Sequence, residues 1–139
     1  MNGRLRADAL GSAARGAAAL PAAATALACL VLRDHVPCPP WIAFIPPALA
    51  WASIGLAGHS MESLLMSLAL SVGLSPLLAT GMVLLPAGPH EASMVALIAF
   101  RQSIAATIGI MTPLALVSAW IGGAVRGLLD RANPPTWNT

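Results

Sequence analysis

Residues 64–85 read LLMSLALSVGLSPLLATGMVLL, twenty-two positions without a single charge. About 20 apolar residues are needed to carry a helix across the hydrocarbon core of a bilayer. Inside lipid every backbone N–H and C=O must be satisfied internally, so only helices and closed barrels cross. A barrel strand would alternate polar and apolar residues over about 10 positions. This run is continuous and about twice that long, so it reads as a transmembrane helix.

The surrounding chain supports the same class. Hydrophobic residues make up 58% of the 139 positions and charged residues only 9%. A water-soluble domain of this size could not cover its surface with so few charges. Disorder is excluded by the same numbers, because disordered chains are poor in apolar residues and rich in charge. Three further apolar stretches lie at about 12–32, 41–58 and 104–125, and a polar tail follows at 130–139. The expectation is an all-α, polytopic integral membrane protein: one membrane domain of four transmembrane helices, with the lipid bilayer as its first partner.

The seven basic residues are all arginine. They sit singly or in pairs beside apolar runs, unlike the clustered cations of a nucleic-acid binder, so no nucleic-acid partner is expected. Arginine favours cytoplasmic flanks. With four spans, Arg4, Arg6, Arg15, Arg126 and Arg131 share one side, and Arg33 and Arg101 the other. This distribution predicts a cell (inner, cytoplasmic) membrane protein with both termini in the cytoplasm. Arg4 and Arg6 followed by Ala26-Leu27-Ala28 and Cys29 resemble a secretory or lipoprotein leader. The apolar run continues past that point through Leu30-Val31-Leu32, which favours a retained first span.

The fourth stretch has two possible starts. From Ala92 to Val125 is about 51 Å of helix at 1.5 Å per residue, more than one simple crossing needs. Arg101-Gln102-Ser103 interrupts it. A charge at mid-membrane costs at least about 2.5–3.5 kcal/mol. The preferred reading therefore makes 91–103 an interfacial or re-entrant helix ahead of the span. The rival reading spans 92–111, puts Arg101 at membrane depth and leaves 113–125 on the surface.

Each span contains proline: Pro21, Pro46-Pro47, Pro76 and Pro113. Proline removes a backbone donor and kinks a helix, and a neighbouring hydroxyl such as Ser75 or Thr112 can re-satisfy the freed carbonyl. A visible bend is expected at Pro46-Pro47. The sharpest pattern is serine at every fourth position, Ser63, Ser67, Ser71 and Ser75. Positions i and i+4 share a helix face, and small polar stripes let membrane helices approach and bond. The stripe should face protein, serving helix packing in the first reading and lining a polar path in the second. An alanine stripe at Ala14, Ala18, Ala22 and Ala26 reads as a smooth, closely packable first helix. Trp41 and Trp120 fit interfacial anchoring, and Trp51 lies deeper, where it packs on protein.

Chemistry-bearing residues are scarce. Asp34, His35, Cys38, His90 and Glu91 fall in two connectors predicted to share the outer side, a weak polar cluster. His, Cys and carboxylate are competent metal ligands, but their spacing matches no metal motif, and neither a metal nor a cofactor is expected. Cys29 and Cys38 read as two free thiols, with Pro37, Pro39 and Pro40 stiffening the segment between them. Arg101 is the one candidate functional charge. No phosphate-binding glycine loop and no nucleophile elbow is present.

Three functions fit, in this order. The first is a non-catalytic subunit or assembly factor of a larger membrane complex, whose partners are other membrane subunits. The second is a small transporter or channel formed by self-association. The third is a membrane enzyme acting on a lipid-linked or polysaccharide substrate, with the outer cluster as its site. An enzyme is the least expected of the three.

Overall fold

A computed structural model describes residues 2–33, 39–58, 60–85 and 92–132. Among them the chain is helical throughout, without a strand. In chain order the elements are α1 (Asn2–Val31), α2 (Pro40–Ala43), α3 (Ile45–Ala57), α4 (Met61–Leu84) and α5 (Ala92–Ala106). A π-helical segment, Thr107–Met111, then leads directly into α6 (Thr112–Ala132). Three helical stretches are long and apolar enough to cross a membrane: Ala7–Val31, Met61–Leu84 and Ser93–Ala132, with Trp41–Ala57 a shorter apolar helix.

The distribution of side chains is inverted relative to a water-soluble bundle. The interior holds small and hydroxyl-bearing residues, among them Ala19, Ala23, Ser67, Ser71, Ala79, Ser103 and Ala119. The exterior carries large apolar ones, including Leu74, Leu77, Leu97, Ile108, Val117 and Trp120. Small residues inside let helices approach without a hydrophobic driving force between them, the arrangement lipid-embedded helices use.

α1 packs chiefly on α4, α6 on α3, and α5 on α4. On α1 the buried face is Ser12, Gly16, Ala19, Ala23 and Ala26 with Leu27. The alanine stripe of the sequence is therefore mis-phased: Ala14 and Ala18 are exposed, and only Ala26 of that set is fully buried. A strict period of four drifts around a 3.6-residue helix, so the true contact face alternates steps of three and four.

The second apolar stretch is not one rod. It divides at Phe44 into the four-residue α2 and the thirteen-residue α3. Pro46 and Pro47 lie in the first turn of α3, where missing N–H groups cost nothing because no intrahelical partner exists there. The expected bend at this pair is thus a helix boundary. Pro21 and Pro76, by contrast, lie inside continuous helices. At Pro76 the missing donor orphans the Val72 carbonyl, and the Ser75 hydroxyl donates to it at 2.7 Å.

The fourth stretch corrects both sequence readings. Helix runs from Ala92 to Ala132 without a break at Arg101-Gln102-Ser103 or at Thr112-Pro113. A separate re-entrant helix at 91–103 is therefore not what the described residues form, and neither is a detached surface helix after Thr112. The chain absorbs Pro113 through the π turn instead. The Thr112 N–H reaches the Thr107 carbonyl, and its hydroxyl reaches the same oxygen at 2.8 Å. One extra residue per turn keeps Thr107, Met111 and Ala115 all on the buried side. Between Arg101 and Arg126 lie 24 uncharged residues, about 36 Å of helix at 1.5 Å each. That is enough to cross a core of about 30 Å with a guanidinium at each end.

Candidate functional site

Three features organise the molecule: a hydroxyl-bonded seam along α4, a bare backbone crossing of α3 with α6, and a groove beside that crossing.

The seam is built on the serine stripe. Ser67, Ser71 and Ser75 are fully buried and Ser63 partly so. The Ser12 and Ser63 hydroxyls meet at 2.6 Å, and Ser12 also donates to its own helix at the Asp8 carbonyl, 2.7 Å away. Ser67 donates across the interface to the Ser12 carbonyl at 2.8 Å, with the Ser63 carbonyl at 2.9 Å as a second acceptor. One turn on, the Trp51 indole N–H donates to the Ser71 hydroxyl at 3.0 Å, and that hydroxyl passes its proton to the Leu68 carbonyl at 3.1 Å. Trp51 is wholly buried, so its one polar atom is satisfied by the stripe. The stripe ties α4 to α1 at one end and to α3 in the middle.

Among the described residues, no hydroxyl bond joins α3 to α6 at their crossing. A Cβ placed on Gly55 would overlap the Ala119 carbonyl oxygen, and one on Gly122 would overlap the Ala52 carbonyl oxygen. Two backbones approach this closely only where side chains are missing. A milder version joins α1 to α4, where a Cβ on Gly16 would lie 2.7 Å from the Ser67 carbonyl oxygen. Sequence reading did not single out these glycines. The available signal was small residues at helical spacing on both partners: Ala48, Ala52 and Gly55 on α3, Ala115, Ala119 and Gly122 on α6.

Two arginines close the end of α3. The Arg15 guanidinium donates to the Ala57 carbonyl at 3.1 Å, and Arg126 donates to the Gly58 carbonyl. The last carbonyls of a helix lack intrahelical partners and carry the negative end of its dipole. Arg126 also lies 3.6 Å from the largely exposed Asp130, an ion pair that adds little in water. Arg15 and Arg126 thus stand at the same end of the bundle.

Beside the crossing lies a groove of about 840 Å³. Its floor is Gly55 and Ala119, and its walls are Leu64 and Leu65 on α4 and Leu116, Val117 and Trp120 on α6. Ser60 and Arg126 stand at its mouth. Trp120, expected as an interfacial anchor, is 74% exposed and forms part of this wall. Ser60 caps α4, accepting the Ser63 amide at 3.2 Å.

Of the other expected residues, Arg101 is exposed on α5. Close to it, the Ser103 hydroxyl is fully buried without a hydrogen-bond partner. Cys29 is a free, half-buried thiol. Asp34, His35, Cys38, His90 and Glu91 lie outside the described residues, as does the tail from residue 133. No family model, no curated protein and no solved structure matches this chain.

Proposed function

We infer that this protein is a non-catalytic subunit or stabilising factor of a larger membrane complex, crossing the bilayer four times with both termini in the cytoplasm. The fourth crossing in this reading is Trp41–Ala57, the short apolar helix that packs between α1 and α6. The observation that carries the reading is how the polar groups of the helices are used. The hydroxyls of the serine stripe bond to one another, to Trp51 and to backbone carbonyls. Three of these bonds, Ser12 with Ser63, Ser67 with the Ser12 carbonyl and Trp51 with Ser71, join one helix to another. The outward surface is large and apolar, and it is widest on the Ser93–Ala132 helix, whose most apolar window is only 28% buried. That long, sparsely covered rod is the face offered to neighbouring subunits.

Extraction in mild detergent tests this. A larger membrane protein held at fixed ratio through size exclusion supports the reading. A defined homo-oligomer with no such partner overturns it.

A second reading, an oligomeric transporter or channel, is favoured by one observation: the unpartnered Ser103 hydroxyl buried one turn before the π segment. Buried hydroxyls ordinarily have a partner, and π turns recur at functional positions. Flux into proteoliposomes, abolished by Ser103→Ala or Arg101→Ala with assembly intact, would establish it.

A further inference from the structure

We propose that the groove between α4 and α6 is a seat for a single phospholipid, its acyl chain along the walls and its phosphate at Arg126 and Ser60. The inference stands apart from the subunit reading and does not depend on it.

Length is the first argument. The groove follows α6 from Leu116 to Arg126, ten residues or about 15 Å of helix. Half of the hydrocarbon core, the depth of one leaflet, is also about 15 Å. A transmembrane helix of a partner would need contact over twice that height, so the groove fits one leaflet's acyl chain better than a spanning protein segment.

Polarity along the groove is the second. Leu116 and Val117 line the end of the groove away from Arg126, Leu64 and Leu65 stand one turn along α4 from Ser60, and the hydrogen-bonding groups Ser60 and Arg126 gather at the other end. An apolar slot with a polar, cationic mouth matches an amphiphile. A guanidinium has five N–H donors in a planar fork suited to phosphate, so Arg126 can offer a phosphate oxygen a donor beside those it directs at the Gly58 carbonyl and Asp130. Ser60 uses its oxygen to accept the Ser63 amide, which leaves the hydroxyl proton to donate outward. By sequence this end carries Arg4, Arg6, Arg15, Arg126 and Arg131 against Asp8, Glu62 and Asp130, a cationic surplus that favours an anionic headgroup over a zwitterionic one.

The floor provides the third argument. Gly55 and Ala119 are small because the helices cross there, and the same small residues leave a trough between two apolar walls. A Cβ on Gly123 would lie 4.0 Å from the Gly55 carbonyl oxygen, so a side chain at 123 clears the crossing and enters the trough.

The test reconstitutes the full chain into vesicles of equal phosphatidylcholine and phosphatidylglycerol, re-extracts it in mild detergent and measures retained lipid by mass spectrometry. One phosphatidylglycerol per chain is expected. Gly123→Leu should lower retention about tenfold, equivalent to about 1.4 kcal/mol, with helicity and elution volume unchanged. Val117→Trp, on the exposed wall, repeats the test should Gly123→Leu misfold. Arg126→Gln should keep a lipid but lose the preference for phosphatidylglycerol. Retention unchanged in both groove variants would overturn the proposal, as would recovery of free fatty acid alone. So would a co-purifying protein that cross-links from position 120 and excludes lipid.

Discussion

The contacts of α1 with α4 and of α3 with α6 bring helices together by different means. Along α1 and α4, hydroxyls do the joining: Ser12, Ser63 and Ser67 form a chain of bonds across the interface. Where α3 crosses α6 at Gly55 and Gly122, backbone meets backbone, each glycine set against a carbonyl of the other helix. Hydrogen bonds between membrane helices average about 0.6 kcal/mol and reach about 1.7, because the separated helices also find partners. Steric fit has no such substitute in the separated state, and a side chain in the wrong place must push the backbones apart. The glycine crossing should therefore be brittle and the serine seam forgiving.

The largest expected effect breaks the crossing. Gly122→Val should destabilise the fold by about 3 kcal/mol or more, read as a fall in the denaturation midpoint in mixed detergent. Gly122→Ala should already be costly, since the added Cβ alone meets the Ala52 carbonyl. A second, smaller loss is expected where the seam reaches α3. Trp51→Phe removes the indole donor to Ser71 and leaves a small void, for about 1–2 kcal/mol, and the same titration would measure it. Within the seam itself, Ser67→Ala should cost about 0.6 kcal/mol. A double-mutant cycle of Ser12→Ala with Ser63→Ala should give a coupling no greater than about 1.7 kcal/mol. A value above 3 would refute the claim that the seam is the tolerant contact.

A further small effect has the opposite sign. A Cβ on Gly73 would meet nothing within 4 Å. Gly73→Ala should therefore stabilise α4 by about 0.5–1 kcal/mol through helix propensity. Set beside Gly122→Ala, it separates glycine needed for close approach from glycine that only weakens a helix. Equal destabilisation by both would show that the crossing is not special.

Much of this architecture could be read from residues alone, and the reasons differ by region. The helical class follows from uncharged runs such as 64–85, since lipid leaves the backbone few choices. The buried position of the serine stripe follows from helical spacing on one segment. The glycine crossing needed the pairing of α3 with α6, which no single segment encodes: Gly55 and Gly122 lie 67 residues apart. The alanine stripe misled because alanine is so common in α1 that several phases look equally smooth. Residues 92–132 misled for another reason. Arg101 interrupts the apolar run, yet an exposed arginine on a helix has good helix propensity, and its cost concerns depth in lipid, not continuity. The groove arises only from the crossing, and Arg126 reaches its mouth by capping α3.

The thirteen residues of α3 have one more consequence. Such a rod is about 20 Å tall, and about 25 Å with the stretch from Trp41 included, while its neighbour α4, with 24 residues, rises about 36 Å. In a bilayer, lipids beside α3 would meet an apolar wall shorter than their own tails require, and those beside α4 a taller one. Such mismatch costs fractions of a kcal/mol per Å and is relieved by local thinning or tilt. The molecule would sit in its membrane lopsidedly, dimpling the leaflets on one flank, and proteins that prefer thin patches would tend to gather there.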